Sequence, residues 1–90
     1  MTRAKITTIL IASLALLPAV ALADEDLALE QLPEPVRQTA LREVKTGTIT
    51  DIEREVERGA TIYEVEFVDQ NIKYELDIAA DGTLLRRHRD

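Results

Sequence analysis

The sequence has no cysteine, its only serine is Ser13, and its only histidine is His88. Without cysteine the chain can form no disulfide bond, no thiolate metal site and no thiol nucleophile. His88 follows two arginines and precedes a third, a setting typical of solvated charge rather than of a general base. We therefore expect no catalytic residue, no enzyme activity and no bound cofactor.

The first 23 residues have the composition of a secretory signal peptide. Arg3 and Lys5 form a short positive start, and an apolar run follows that ends in Ala-Leu-Ala at residues 21–23. A transmembrane helix is the alternative, because the run approaches spanning length. Pro18 and the small-residue ending favour cleavage before Asp24. The prediction is an exported protein, periplasmic or secreted, with no stable membrane anchoring after cleavage.

Removing that segment leaves 67 residues with 17 acidic and nine basic side chains, a net charge of −8. This charge disfavours nucleic acid and anionic membrane surfaces as partners, because binding to phosphates depends on cationic side chains. A chain of this length buries only about 60% of its unfolded surface. With no disulfide available, its stability must come from one efficient core or from self-association, such as a homodimer through edge strands.

The mature chain begins with an acidic segment at residues 24–31, which predicts a flexible lead-in. A helix is predicted over residues 34–46, with prolines in its first turn. Its apolar positions recur at helical spacing and form one stripe: Val36, Ala40, Leu41 and Val44. Gly47 is placed to end this helix in a left-handed conformation.

From Thr48 the apolar period changes to two, which indicates strands. Turn signals at Arg58-Gly59, at residues 69–71 and at Asp81-Gly82 divide the rest of the chain. The predicted strands are 49–57, 61–68, 72–79 and 84–89. Tight turns make consecutive strands antiparallel neighbours. Residues 32–90 are therefore predicted to form one α+β domain, in which one helix packs on a four-stranded antiparallel meander.

The turns also predict a register that separates two faces of the sheet. One face is apolar. Its predicted pairs are Phe67 opposite Tyr74, Val65 opposite Leu76, Tyr63 opposite Ile78, Ile52 opposite Val65, and Ile78 opposite Leu85. Arg54 is expected at the rim of this face, beside Tyr63. The other face is charged, with Glu66 opposite Glu75, Glu64 opposite Asp77, Asp77 opposite Arg86, and Glu75 opposite His88. Like charges directly opposite destabilise a sheet by roughly a few tenths of a kcal/mol. The acidic residues therefore need a cause other than pairing energy.

The basic residues of the last strand reach only the third strand, so an acidic patch without basic neighbours is expected on the first two. Its residues are Asp51, Glu53, Glu55, Glu64 and Glu66. We interpret this patch as a candidate face for docking a basic protein partner. The simpler alternative is that the acids only keep the domain dissolved and discourage edge pairing. A carboxylate pair such as Glu66 and Glu75 needs a concave site for acid–base catalysis, which an open sheet face does not provide.

A calcium loop is excluded at residues 77–82, "DIAADG". The third position is Ala79, and position twelve would be His88 rather than a bidentate glutamate. No dedicated metal site is predicted. Weak divalent-cation (calcium) binding or buffering by the carboxylate patch is the alternative function.

Three segments in this order resemble the PepSY and PepSY-like domains of exported bacterial proteins: "LPEPVRQTALREV", "ITDIEREVERGATIYEVEF" and "KYELDIAADGTLL". The resemblance covers residues 32–86. It departs from the family at "KTGTIT", where relatives often have an aromatic-proline element, which leaves the joint between helix and strand open. The resemblance implies a helix packed on an antiparallel sheet, similar to half of a β-lactamase inhibitory protein. It implies a non-enzymatic module that binds, and in the specific version inhibits, a peptidase or another envelope protein, and it carries over no catalytic residue.

Overall fold

A computed structural model describes residues 25–90, in which one α-helix covers one face of a five-stranded antiparallel sheet. The elements are β1 (Glu25–Asp26), a short 3-10 helix (Leu29–Gln31), α1 (Glu34–Val44), β2 (Thr48–Glu57), β3 (Ala60–Asp69), β4 (Ile72–Ala79) and β5 (Leu84–Arg89). The strands lie in chain order, each antiparallel to the next. The α+β prediction is confirmed, with one strand more than the four predicted. The predicted signal peptide lies outside the described residues.

The hairpins joining β2, β3 and β4 have two-residue turns. Arg58, Gly59, Gln70 and Asn71 all have positive φ, between 51° and 81°. This is the backbone of type I′ turns, whose twist matches that of the flanking strands. The predicted registers between β2 and β3 and between β3 and β4 are confirmed, including Val65 opposite Leu76.

The core lies between the inner face of the sheet and α1. Its buried side chains are Leu32, Val36, Ala40, Val44, Ile52, Tyr63, Val65, Phe67, Leu76 and Ile78. The Phe67 and Tyr74 rings stack with centroids 5.1 Å apart. Within residues 25–90, no helix is long and apolar enough to cross a membrane.

The buried stripe of α1 differs from the predicted one at two positions. Leu41 is 49% exposed, whereas Thr39 is 3% exposed. Thr39 faces the turn between β4 and β5, where its hydroxyl donates a 2.6 Å hydrogen bond to the backbone oxygen of Gly82. The turn covers a side of the helix that the apolar pattern did not predict to be buried. Thr39 is therefore buried there although it is polar, and its hydroxyl has a hydrogen-bond partner.

The helix also ends differently from the prediction, at Val44 rather than at residue 46. Lys45 takes the positive φ of 53° that was expected of Gly47. Gly47 is required by space instead, because a β-carbon there would lie 3.0 Å from both Phe67 Cδ2 and the backbone oxygen of Val68. The joint between helix and sheet therefore passes directly over the Phe67 ring.

The predicted flexible lead-in is wrong for residues 25–31, which form β1 and the 3-10 helix. β1 pairs with β2, placing Glu25 opposite Arg54. Leu27 and Leu29 pack against the core, and the backbone N–H of Leu27 donates a 2.9 Å hydrogen bond to the Ile52 oxygen. The scattered leucines are therefore anchoring residues, and Arg54 at the rim forms an ion pair of 2.5 Å with Glu25.

The register between β4 and β5 is confirmed near the charged residues but not at the turn. Asp77 is opposite Arg86, as predicted, whereas Ile78 is opposite Leu84 rather than Leu85. The backbone N–H of Ala79 donates to the Thr83 oxygen at 2.8 Å, so the turn is longer than two residues. The ladder compensates with a bulge, in which Leu85 is the extra residue and is 52% exposed.

Candidate functional site

The outer face of the sheet, opposite α1, displays the carboxylates of β2, β3 and β4. We call this surface the acidic face; its residues are Asp51, Glu53, Glu55, Glu64, Glu66, Glu75 and Asp77. Side chains of a strand alternate between faces, so the inward apolar residues of each strand force its acids outward together. All seven are half-buried, because neighbouring strands place their side chains against one another.

The five residues predicted for docking all lie on this face. Glu53 is opposite Glu64, Asp51 is opposite Glu66, and Glu55 is opposite Ile62. Oxygen atoms of Glu53, Glu55 and Glu64 lie within 4.8 Å of one another. Four of the five thus form a continuous group, because Asp51 in turn lies within this distance of Glu53 and Asp26.

The centre of the face is a carboxyl pair that joins β3 to β4. Oxygens of Glu64, Glu75 and Asp77 lie within 4.8 Å of one another. A hydrogen bond with Glu75, followed by burial, raises the pKa of Glu64 to about 8. The negative charges of Glu75, Glu55 and Asp77 act in the same direction. At neutral pH, Glu64 therefore stays protonated, and its carboxyl O–H donates a hydrogen bond to the Glu75 carboxylate. This lowers the repulsion between carboxylates.

Glu75 is a member of the site that the sequence interpretation left out. It was expected to be neutralised by His88, and the two are indeed 3.7 Å apart. Its contact with Glu64 is diagonal, however, since Glu75 is directly opposite Glu66. Diagonal neighbours on adjacent strands lie within reach of long side chains, and that spacing is the signal that could have predicted the contact.

The expectation that the patch has no basic neighbour is wrong for Glu66. The Lys73 amino group lies 3.6 Å from its carboxylate, and the Thr50 hydroxyl donates to Glu66 Oε1 at 3.3 Å. Lys73 is opposite Val68, so it too reaches Glu66 along a diagonal. Glu66 therefore lies at a partly neutralised rim of the acidic face.

The β5 side of the face is also partly neutralised, as the register predicted. Arg86 lies 3.4 Å from the Asp77 carboxylate. Burial nevertheless raises the pKa of Asp77, and the charge of Arg86 only partly opposes this effect. The acidic face is therefore partly neutralised at two places, at Glu66 by Lys73 and at Asp77 by Arg86.

Chemically, this arrangement provides hydrogen-bond acceptors and oxygen ligands. Clusters such as Glu64, Glu75 and Asp77 offer the ligand type that hard cations prefer. Concave regions among residues 25–90 include one at the β2–β3 turn and one between the 3-10 helix and β2. Neither includes the Glu64–Glu75 pair, which lies on the open sheet.

The Asp-Gly segment after β4 serves the turn. Asp81 Oδ1 accepts a 2.9 Å hydrogen bond from the backbone N–H of Thr83, and this bond lowers the pKa of Asp81. The side chain that would take position five of a calcium loop is thus engaged in the geometry of the turn.

A helix packed against an antiparallel sheet agrees with the fold that the resemblance implied. The model of the PepSY family, described as "Peptidase propeptide and YPEB domain", matches residues 27–87. The chain belongs to the PepSY family. The matched region of this PepSY domain begins with Leu27, within the segment that anchors β1 to the core.

One solved structure is similar in fold. It is the crystal structure of a DUF2874 family protein from Bacteroides ovatus ATCC 8483, with a TM-score of 0.65 and 21% sequence identity. The match covers 73% of this chain and 50% of the other, so the PepSY chain spans about half the length of that protein. Among curated proteins, none matches the sequence.

Proposed function

We propose that this PepSY domain is an exported, non-enzymatic binding module whose acidic face docks a basic surface of an envelope protein. The specific version of the proposal is that this partner is a peptidase and that docking modulates or inhibits it. The observation that carries the proposal is the concentration of seven carboxylates on one face of a rigid sheet. The family description, which names peptidase propeptides, supports the peptidase version.

The physical argument rests on how the charge is distributed. Cross-strand repulsion makes the acidic face costly for the isolated domain, and Glu64 retains a proton in response. A basic partner would relieve that repulsion by placing lysine or arginine between the carboxylates. Such complementary charge raises association rates and selects against acidic surfaces. Export is supported by the leader composition of residues 1–23.

The test is affinity capture from the envelope fraction of the producing organism with residues 24–90, at low and high salt. A captured partner is then purified, and its dissociation constant is measured with the parent and with a triple variant, Glu53→Gln, Glu64→Gln and Glu66→Gln. The control carries Glu30→Gln and Asp69→Asn at positions off the acidic face. At neutral pH it removes two charges, as the first variant does, because Glu64 is already protonated. We expect weaker, less salt-sensitive binding only for the first variant. Equal binding by the parent and the first variant would show that docking uses another surface.

The peptidase version has a separate readout. If the partner is a peptidase, its hydrolysis of a chromogenic peptide should change when the domain is added in stoichiometric amount. The first triple variant should need a higher concentration for the same effect. A partner without peptidase activity would retain the docking proposal and remove the peptidase version.

A second candidate function is weak divalent-cation binding, which the carboxylate clusters within 4.8 Å favour. A ligand at 100 times its dissociation constant stabilises a protein by about 2.7 kcal/mol. Thermal unfolding with calcium at millimolar concentration, against an equal ionic strength of sodium chloride, measures this effect. No difference between the two salts would remove the cation proposal.

A further inference from the structure

Besides the acidic face, the outer edge of β5 is a surface that could bind another protein. β5 is the last strand of the sheet, and within residues 25–90 only β4 pairs with it. An unpaired edge presents a row of backbone N–H and C=O groups that can accept another strand. The backbone N–H of Asp90 donates a 2.9 Å hydrogen bond to the Lys73 oxygen. Because the pairs of an antiparallel ladder alternate, Arg87 and Arg89 direct their backbone groups toward the open edge.

This edge differs in charge from the rest of the domain. Four consecutive residues of β5, Arg86 to Arg89, are arginine or histidine, in a domain that is otherwise strongly acidic. The side chain of Arg86 is 63% exposed although it pairs with Asp77, and that of Arg87 is 41% exposed although it pairs with Glu43. Among residues 25–90, none of the ion pairs found includes Arg89. Guanidinium groups have five donors, so those already paired can still bind a second carboxylate.

We propose that the open edge of β5 is a strand-addition site for an extended acidic segment of another protein. The added strand forms backbone hydrogen bonds with Arg87 and Arg89, while its side chains alternate between the two faces of the sheet. Acidic side chains on the outer side meet Arg86, and those on the helix side meet Arg87 and Arg89. The site includes none of the five residues predicted for docking, so either proposal can fail without the other.

A second copy of this chain does not fit the same edge. Two β5 strands side by side would place arginines opposite arginines, and like charges directly opposite are destabilising. The simple alternative is that the arginines keep the edge free of any added strand, which is a known use of charged edge residues. The two possibilities predict opposite results with an acidic peptide.

The experiment uses a seven-residue peptide of alternating glutamate and valine, acetylated and amidated at its ends. Binding to residues 24–90 is followed by two-dimensional NMR and by hydrogen exchange of the backbone amides. We expect saturable binding, with slower exchange of the Arg87 and Arg89 amides in the complex. Absence of binding at millimolar peptide overturns the proposal. Binding whose chemical-shift changes lie on β2 and β3 rather than on β5 also overturns it.

Two matched peptides separate strand addition from attraction between charges. One has lysine in place of glutamate, and the other keeps glutamate but is N-methylated at every second residue, which removes ladder donors without changing charge. Neither is expected to bind with comparable affinity. Equal binding by the N-methylated peptide would show a charged contact without a ladder and overturn the proposal.

Two variants of one residue make the same distinction in the protein. Arg89→Gln removes the charge and is expected to weaken binding by about fivefold at most, as for an exposed ion pair. Arg89→Pro also removes the outward N–H, and proline is tolerated at the solvent side of an edge strand. It should weaken binding by about fivefold more, the effect of one hydrogen bond. Equal affinities of two folded variants, as judged by their thermal unfolding, would contradict the ladder.

Discussion

Glu64 is the residue whose ionisation most affects the acidic face. Its hydrogen bond with Glu75 and its burial between strands hold its pKa at about 8, above the usual 4.5. The folded state therefore binds a proton that the unfolded state has released between these pH values. Stability is full below about pH 4.5 and is lost as pH rises through 8.

The first prediction is that unfolding free energy falls between pH 5 and pH 9 and that Glu64→Gln removes most of this fall. Glutamine keeps a donor toward Glu75 but cannot ionise. Because solvent screens a half-exposed carboxyl, the expected fall is ~1 to 2 kcal/mol rather than the full value of the shift. Denaturant unfolding at several pH values measures it, with Glu30→Gln as control. The same pH slope in parent and Glu64→Gln would refute this role.

Arg87 is a second residue whose role depends on contacts far apart in the sequence. Its guanidinium lies 5.5 Å from the Phe67 ring centroid and 5.0 Å from that of Tyr74. It also donates to the backbone oxygen of Glu43 at 3.3 Å and to the Glu43 carboxylate at 3.1 Å. Arg87 thus joins β5 to the last turn of α1 and covers the aromatic stack between them.

The second prediction is that Arg87→Ala lowers stability by ~1 to 2 kcal/mol, from lost cation–π contacts and a lost helix-end hydrogen bond. For a domain of this size, each kcal/mol lowers Tm by about 4 to 8 °C. Arg89→Ala is the matched control on the same strand, and its effect should be under about 0.5 kcal/mol. Thermal unfolding compares the two variants. Similar losses in both would mean that Arg87 makes no special contribution.

At the scale of elements, the joint between α1 and β2 decides how closely the helix approaches the sheet. Gly47 has no positive φ in this structure. Glycine is needed there because a β-carbon would lie too close to the Phe67 ring. Gly59, in the β2–β3 turn, is the opposite case. Its φ is 81°, but a β-carbon there would meet nothing within 4 Å.

The third prediction compares these two glycines. Gly47→Ala should cost ~1 to 3 kcal/mol, because the added methyl forces the helix joint or Phe67 to move. Gly59→Ala should cost about 1 kcal/mol through backbone strain alone. Asparagine tolerates left-handed backbone, so Gly59→Asn should recover part of that loss, whereas Gly47→Asn should be worse than Gly47→Ala. Denaturant unfolding ranks the four variants, and recovery by asparagine at position 47 would contradict the steric explanation.

At the scale of the whole molecule, charge is distributed unevenly across one sheet. Acidic residues concentrate on the outer face of β2, β3 and β4, and basic residues concentrate on β5. Residues 24–90 have a net charge of −8, which adds self-repulsion to the folded state. The two proposed surfaces would therefore attract partners of opposite charge to different parts of the same domain.

The fourth prediction is that sodium chloride stabilises the domain. Screening shortens the range of repulsion from about 30 Å at 0.01 M to about 3 Å at 1 M salt. Tm should rise over this range, and the rise should be smaller for the triple variant with glutamine at positions 53, 64 and 66. The control with neutralised charges off the acidic face should keep more of the parental rise. A Tm independent of salt would show that the repulsion is already compensated in the fold.

The sequence by itself determined the sheet and its two faces. Period-two alternation assigns each residue to a side, and a two-residue turn such as Gln70-Asn71 sets the register of its hairpin locally. Five acids of the face, including Glu53 and Glu64, follow from these local rules. These rules did not predict the longer turn before β5. A bulge at Leu85 compensates for its length, so the pairs further along β5 are the same as with a two-residue turn.

Only the tertiary structure decided which carboxyl groups form a hydrogen bond, which acid pairs with a lysine, and which polar side chain is buried. The Glu64–Glu75 hydrogen bond and the Lys73–Glu66 pair lie on diagonals that the register makes possible, but the register does not specify which diagonal contacts form. The burial of Thr39 depends on where the β4–β5 turn meets α1, 43 residues further along the chain. Contacts between elements remote in sequence arise from packing a particular set of side chains, and for that reason no local pattern encodes them.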